Sequence, residues 1–205
     1  MKRIRIVGLA LVAVLALSAV ANSAALAAAP EFSKTKVTFK TTSGESVLGG
    51  GATITCKKAS GEGEITSVTK LNAKVTFEEC KGEVLGSKCE EKITSELVGT
   101  LGTVAKAESE TEVGLLFKPK SGAFSKFKCG SLTISVEGSI AGEVTPTKTP
   151  STKGNLVFAL SGTSQKIKKI TVEGKEEKPA LKAFGIASTL KTTEENTFSE
   201  AIEVT

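Results

Sequence analysis

From Leu132 to Val144 every second residue is apolar or glycine. Leu132, Ile134, Val136, Gly138, Ile140, Gly142 and Val144 share one parity, against Thr133, Ser135, Glu137, Ser139, Ala141 and Glu143. A helix cannot segregate such a pattern, because its faces repeat every 3.6 residues. A half-buried strand requires it. The two glycines on the inner parity imply a bend or a close backbone approach. The stretch is therefore expected to be one long strand, central to the fold.

The same period recurs elsewhere. KVTFK alternates through Val37 and Phe39, ATITC through Ala52, Ile54 and Cys56, AKVTFE through Ala73, Val75 and Phe77, and EVGLLF through Val113, Leu115 and Phe117. NLVFALS is apolar on both faces and reads as a central strand. KKITVEG and the terminal EAIEVT complete the set. Thr favours strands, and Gly with Ser punctuates the turns. No amphipathic helix stands out. Strands at short spacing define an all-β antiparallel sandwich or barrel, with that choice left open. The segments 142–154 and 173–180 read as surface loops or linkers. A minor boundary could fall near 144–154, but the residues beyond it are few for an independent core, so 28–205 reads as one domain.

The N-terminus carries Lys2, Arg3 and Arg5, then an apolar run from Ile6, then small residues ending in Ala25-Leu26-Ala27. This has the form of a secretory signal peptide spanning 1–27, cleaved between Ala27 and Ala28. The rival is a retained anchor, since the apolar stretch is long enough to span a bilayer. No later stretch is, so the mature chain is expected to lack a transmembrane segment and to be secreted or held at the cell surface. The chain has a net charge of +5 from 27 basic and 22 acidic residues. Without the three N-terminal charges, 24 lysines face 22 glutamates, a net +2. Lysine alternates with glutamate and threonine instead of clustering, so no nucleic-acid partner is expected.

Beyond residue 27 the chain contains no Arg, His, Asp, Trp, Tyr or Met. The absence of His excludes Ser-His-Asp and Cys-His nucleophile pairs and His-containing zinc sites. Without Asp the usual calcium loops cannot form. Without Arg there is no bidentate phosphate clamp. Paired glutamates of a glycosidase remain open in principle, as does a Ser-Lys dyad. S-x-x-K occurs at 33–36 and 67–70, but the S-D-N and K-T-G partners of that chemistry are missing. GEGEIT at Gly61 lacks the rest of a dinucleotide fingerprint, and Ser139 in GSIAG occupies the wrong slot for a nucleophile elbow. No catalytic, metal or cofactor-binding residue can be nominated.

Cys56, Cys80, Cys89 and Cys129 include no C-x-x-C pair, so neither a thioredoxin-like centre nor a zinc knuckle is indicated. An even count in an exported chain implies two disulfides. The favoured pairing is Cys80–Cys89, closing the loop CKGEVLGSKC, with Cys56–Cys129.

The segments ITCKKASGEGEIT, AKVTFEEC, VGLLFKPKSG and FKCGSLTISVEGSIAGEVTP together resemble a group of uncharacterised secreted actinobacterial proteins with a signal peptide, four cysteines and a Gly-Thr-rich β body. The resemblance covers 52–146. It implies a stapled β fold and assigns no activity. The chain is expected to be a non-enzymatic structural or interaction protein of the cell envelope, meeting an envelope protein or polymer. An extracellular carrier of a small apolar ligand is the alternative, and a Glu-dependent hydrolase the more distant one.

Overall fold

The computed structural model describes residues 29–51, 53–105 and 111–205. The signal segment, with Ala27 and Ala28, lies outside the described residues, as does Ala52. Every regular element is a strand: β1 Thr38–Ser43, β2 Ser46–Gly49, β3 Ile54–Ile65, β4 Lys70–Val84, β5 Ser87–Lys88, β6 Lys92–Ala105, β7 Thr111–Pro119, β8 Ser125–Cys129 and β9 Leu132–Gly138. They are followed by β10 Ile140–Thr145, β11 Ser151–Phe158, β12 Leu160–Ser161, β13 Ser164–Gln165, β14 Ile170–Val172, β15 Lys175–Glu177, β16 Leu181–Ala183 and β17 Ile186–Ile202.

The architecture is a barrel. Antiparallel pairing runs β1–β3–β4–β6–β7–β10–β11–β17 and returns from β17 to β1, which closes eight strands into a ring with no free edge. Inside it pack Phe39, Leu71, Leu97, Leu115, Phe117, Leu156 and Phe158. The tilted ring pair Phe117–Phe158, with centroids 6.0 Å apart, is the geometry that aromatic quadrupoles favour. Phe32 bridges to Val204 and plugs one end, its N–H bonded to the Val68 carbonyl.

A second, smaller ring grows from the same wall. Beyond the first ring, β3 and β17 both continue alongside β2, and β17 then pairs with β16, β16 with β9 and β9 with β8. On the other side β4 continues beside β5 and residues 88–91. The gap between that segment and β8 is bridged at Cys89 and Cys129 and by the Glu90 N–H to the Lys128 carbonyl. Phe127, Ile134, Val136 and Cys129 fill this ring. Completely burying a side chain of this size stabilises by about 2–3 kcal/mol. One cluster of buried side chains runs through both rings. A separate cluster, including Leu116, Ala141, Ile170 and Val172, lies where the β14–β15 hairpin is laid over the first ring's outer face.

At the junction the inward parity flips. Phe39 and Thr41 face in on β1, but Ser46 on β2; Ala59 faces in on the first-ring part of β3, but Ile54 and Cys56 on the second. Residues 44–45 absorb the change in one strand and Lys57 and Glu79 in the next two. Glu79 takes a positive φ of 53° and is held by Lys57 at 3.1 Å and Lys58 at 3.0 Å.

The stretch 132–144 is not one strand. It breaks at Gly138, whose φ is +99° and where a Cβ would lie 1.9 Å from the Ala180 carbonyl oxygen. The chain crosses there from β9 in the second ring to β10 in the first. Leu132 lies at a ring end and is exposed, not inward. At Gly142 a Cβ would crowd Leu156 and Phe158 at 2.8 and 3.0 Å, so that glycine relieves packing and opens no ligand space.

The disulfides are Cys56–Cys80 and Cys89–Cys129, not Cys80–Cys89 with Cys56–Cys129. CKGEVLGSKC is a tight hairpin turning at Leu85-Gly86, in which Cys80 faces Glu91 and Cys89 faces Gly82. The two cysteines are thus diagonal neighbours, at a spacing of about 7 Å, when a disulfide needs Cβ atoms about 3.8 Å apart. Each instead meets the residue directly opposite on its other side. Cys56 and Cys129 are kept apart by β4 and residues 88–91. Both cysteines of CKGEVLGSKC are in staples, which fasten this hairpin outward to β3 and β8.

Candidate functional site

The first ring holds the one deeply buried carboxyl group among the described residues. β17 is rich in polar residues, yet its even positions face inward: Ser188, Leu190, Thr192, Glu194, Asn196 and Phe198. Strand pairing forces this, since β17 is clamped between β1 and β11, with Glu194 opposite Ser43 on one side and Leu156 on the other. Glu194 is 8% exposed. Its carboxyl makes no hydrogen bond or ion pair, and burial alone pushes its pKa up to about 7. The group is thus protonated at mildly acidic pH, where it can donate a hydrogen bond, and loses its proton around neutrality.

Thr41, on β1, is 3% exposed, and its Oγ1 has no partner. It shares with Glu194 and Asn196 a void of about 60 Å³, walled mainly by apolar side chains such as Phe117 and Leu156 and also lined by Thr145, Thr149, Ser151, Lys153 and Asn155. Toward the ring junction the polar lining continues and is satisfied: the Thr192 and Ser46 hydroxyls are 2.8 Å apart, and Ser46 and Ser43 3.2 Å.

This arrangement limits the chemistry. Among the described residues Glu194 is the only carboxylate lining the void, so the described residues do not assemble there the pair that glycoside hydrolysis demands. The S-x-x-K serines are used structurally. Ser33 Oγ accepts the Glu203 N–H at 2.8 Å, and Ser67 Oγ accepts the Lys70 N–H at 3.1 Å within its own turn. Lys70 is ion-paired to Glu173 at 2.8 Å. Gly61 lies mid-strand in β3 and Ser139 at the crossover between rings. All four cysteines are oxidised, and among the described residues no three His, Cys, Asp or Glu side chains converge as metal ligands.

A second concavity, about 730 Å³ and open to solvent, lies on the outer face of the first ring. Cross-strand registry lines up Lys40, Glu62, Lys74 and Glu96 in one transverse row, with Lys74 and Glu96 at 3.2 Å. The next row is hydroxylated: Thr42, Ser60, Thr76 and Thr94, the last two hydrogen-bonded at 3.1 Å. Opposite charges directly across strands stabilise the sheet modestly, and here they cancel. Beside these rows Lys92 holds the Glu78 carboxylate below its ordinary pKa, while Lys58 and Lys57 do the same for Glu79.

Comparison with known proteins returns no family model that matches the chain, and no curated protein or solved structure with a significant match. Among the described residues no helix is long and apolar enough to cross a membrane. The two disulfides fit maturation in an oxidising compartment.

Sequence reasoning missed Glu194. KTTEENT is polar on both parities, so it gave no burial signal of its own. The detectable cue was the even-position run from Leu190 to Phe198 and on to Ile202, which brackets Glu194 between apolar residues.

Proposed function

We propose that this chain is an exported, disulfide-stapled β-barrel that acts through its outer surface, as a structural or interaction module of the cell envelope. The observation that carries the reading is how little room the barrel leaves. Pockets that take small organic ligands measure about 300–1,000 Å³. The void beside Glu194 is about 60 Å³, room for about two waters. A carrier needs the interior, and here Phe39, Phe117, Phe158 and Leu156 occupy it. Secretion, removal of residues 1–27 and kinship with the exported actinobacterial group belong to the same proposal.

The test is titration of the oxidised protein with a fluorescent fatty acid and with smaller apolar dyes. A filled barrel gives no saturable one-to-one uptake. Stoichiometric uptake that a Leu156→Trp substitution blocks would restore the carrier.

A further inference from the structure

Four turns lie together at the free end of the second ring. They join β2 to β3, β4 to β5, β8 to β9, and β16 to β17. They touch in pairs: a Cβ on Gly130 would lie 2.8 Å from Ser87 Oγ, and one on Gly51 would lie 3.1 Å from Ile186 Cβ. Six large apolar side chains are exposed among the described residues, and four belong to these turns: Leu85 at 89%, Ile186 at 55%, Phe184 at 43% and Leu132 at 36%.

Two of them occupy positions that local physics disfavours. Val84 pairs with Ser87 across Leu85-Gly86, and Ala183 with Ile186 across Phe184-Gly185. Both central residues of each turn have positive φ, 51° and 77° in the first, 55° and 72° in the second. Turns of this hand favour Asn or Asp before the glycine, because a bulky side chain is strained there. The third such turn, Glu173-Gly174 with φ of 49° and 75°, lies away from this end and is polar. Leu85 and Phe184 thus bear both backbone strain and exposure, and nothing within the fold gains from either.

Lysines surround these tips. Lys81, Lys88, Lys126, Lys128 and Lys182 are exposed, and none joins the ion pairs that engage many lysines elsewhere on the molecule. The nearby exposed carboxylates are Glu83, across from Lys88, Glu90, which accepts the Lys128 N–H at 2.9 Å, Glu91, across from Cys80, and Glu137, which accepts the Ser135 hydroxyl at 3.3 Å, so five lysines against four glutamates leave a net +1.

We propose that this end of the second ring docks on an anionic lipid surface. Leu85, Phe184 and Ile186 enter the headgroup region while the lysine collar meets the lipid charge. Separate apolar tips flanked by lysines that no glutamate ion-pairs suit a fluid, negatively charged surface, where apolar burial and electrostatic attraction add. Strand ends held by the Cys89–Cys129 bridge present the tips without an ordering cost at binding. The proposal deepens the surface-acting reading above and rests on it.

The experiment is co-sedimentation of the oxidised exported protein with vesicles of phosphatidylcholine alone or mixed equally with phosphatidylglycerol. Binding to the mixed vesicles is expected, weaker without phosphatidylglycerol and at about 0.5 M salt. The double variant Leu85→Asn, Phe184→Asn places the favoured residue in both turns. It should melt at or above the parent's temperature and lose binding by at least about tenfold, while Glu173→Asn should bind as the parent does. Absence of binding by the folded parent, binding that the double variant retains, or equal binding to uncharged vesicles would each overturn the proposal. So would tips that engage a protein while the vesicles stay bare. Failure here leaves the filled barrel in place, whereas stoichiometric ligand uptake would remove the broader reading.

Discussion

Cys56 and Cys80 stand directly opposite one another on β3 and β4, the registered pair that flanks the ring junction on the second-ring side. This staple holds the shared wall, while Cys89–Cys129 closes the second ring.

The two bonds should therefore be unequal. Their sequence separations are 24 and 40, and the chain-entropy model gives about 3.4 and 3.9 kcal/mol. Replacing Cys89 and Cys129 by Ala also opens a ring. It should cost more in a denaturant titration than replacing Cys56 and Cys80, and should raise hydrogen exchange in β8 and β9 first. Non-reducing peptide maps should link 56 with 80 and 89 with 129.

Glu194 makes stability depend on pH. Its folded pKa of about 7 lies above the ordinary 4.5, so between those values the folded state holds a proton that the unfolded state has released. Stability on this account is undiminished below pH 4.5, falls as pH rises toward 7, and carries the full cost above it. That cost is about 3 kcal/mol. Glu194→Gln should be nearly neutral at pH 4 and stabilising by about that amount at pH 8, as read from denaturant midpoints at the two values.

Thr41→Val replaces an unpartnered buried hydroxyl with a methyl of similar shape. The variant should gain about 1 kcal/mol, because the native Oγ1 is buried without a protein partner among the described residues. Since Thr41 and Glu194 share a void, the double variant should depart from additivity.

Gly138→Ala should be among the most damaging single changes. It meets both a φ of +99° and a carbonyl oxygen 1.9 Å away, and should cost about 3 kcal/mol or more. Gly44→Ala, with nothing within 4 Å and no positive φ, should be close to neutral. Thermal melting of the two variants compares them directly.

The sequence was most readable where one parity is apolar. Val37 and Phe39, Ala73 and Val75, and Leu115 and Phe117 all face inward as their alternation requires, and the all-β class follows from them. Closure into a ring was not readable, because it depends on β17, whose inward row mixes Ser188, Thr192 and Glu194 with Leu190. The break at Gly138 hid inside an uninterrupted alternation, since a ring-to-ring crossover can keep its parity while changing its neighbours. The cysteine pairing was lost for a related reason. Proximity along the chain favours Cys80 with Cys89, but a two-residue turn sets a register that leaves them diagonal. Glu194 needed its neighbours in space, on β1 and β11, before its burial could be seen.

A barrel that is filled and works from its surface, as proposed, carries no small molecule inside it. The most direct measurement is the native mass of the exported, unreduced protein set against its denatured mass. The account predicts a native mass equal to the oxidised chain, or to a whole multiple of it, with four thiol hydrogens missing. A native mass that exceeds this by a discrete small molecule, lost on denaturation, would contradict it.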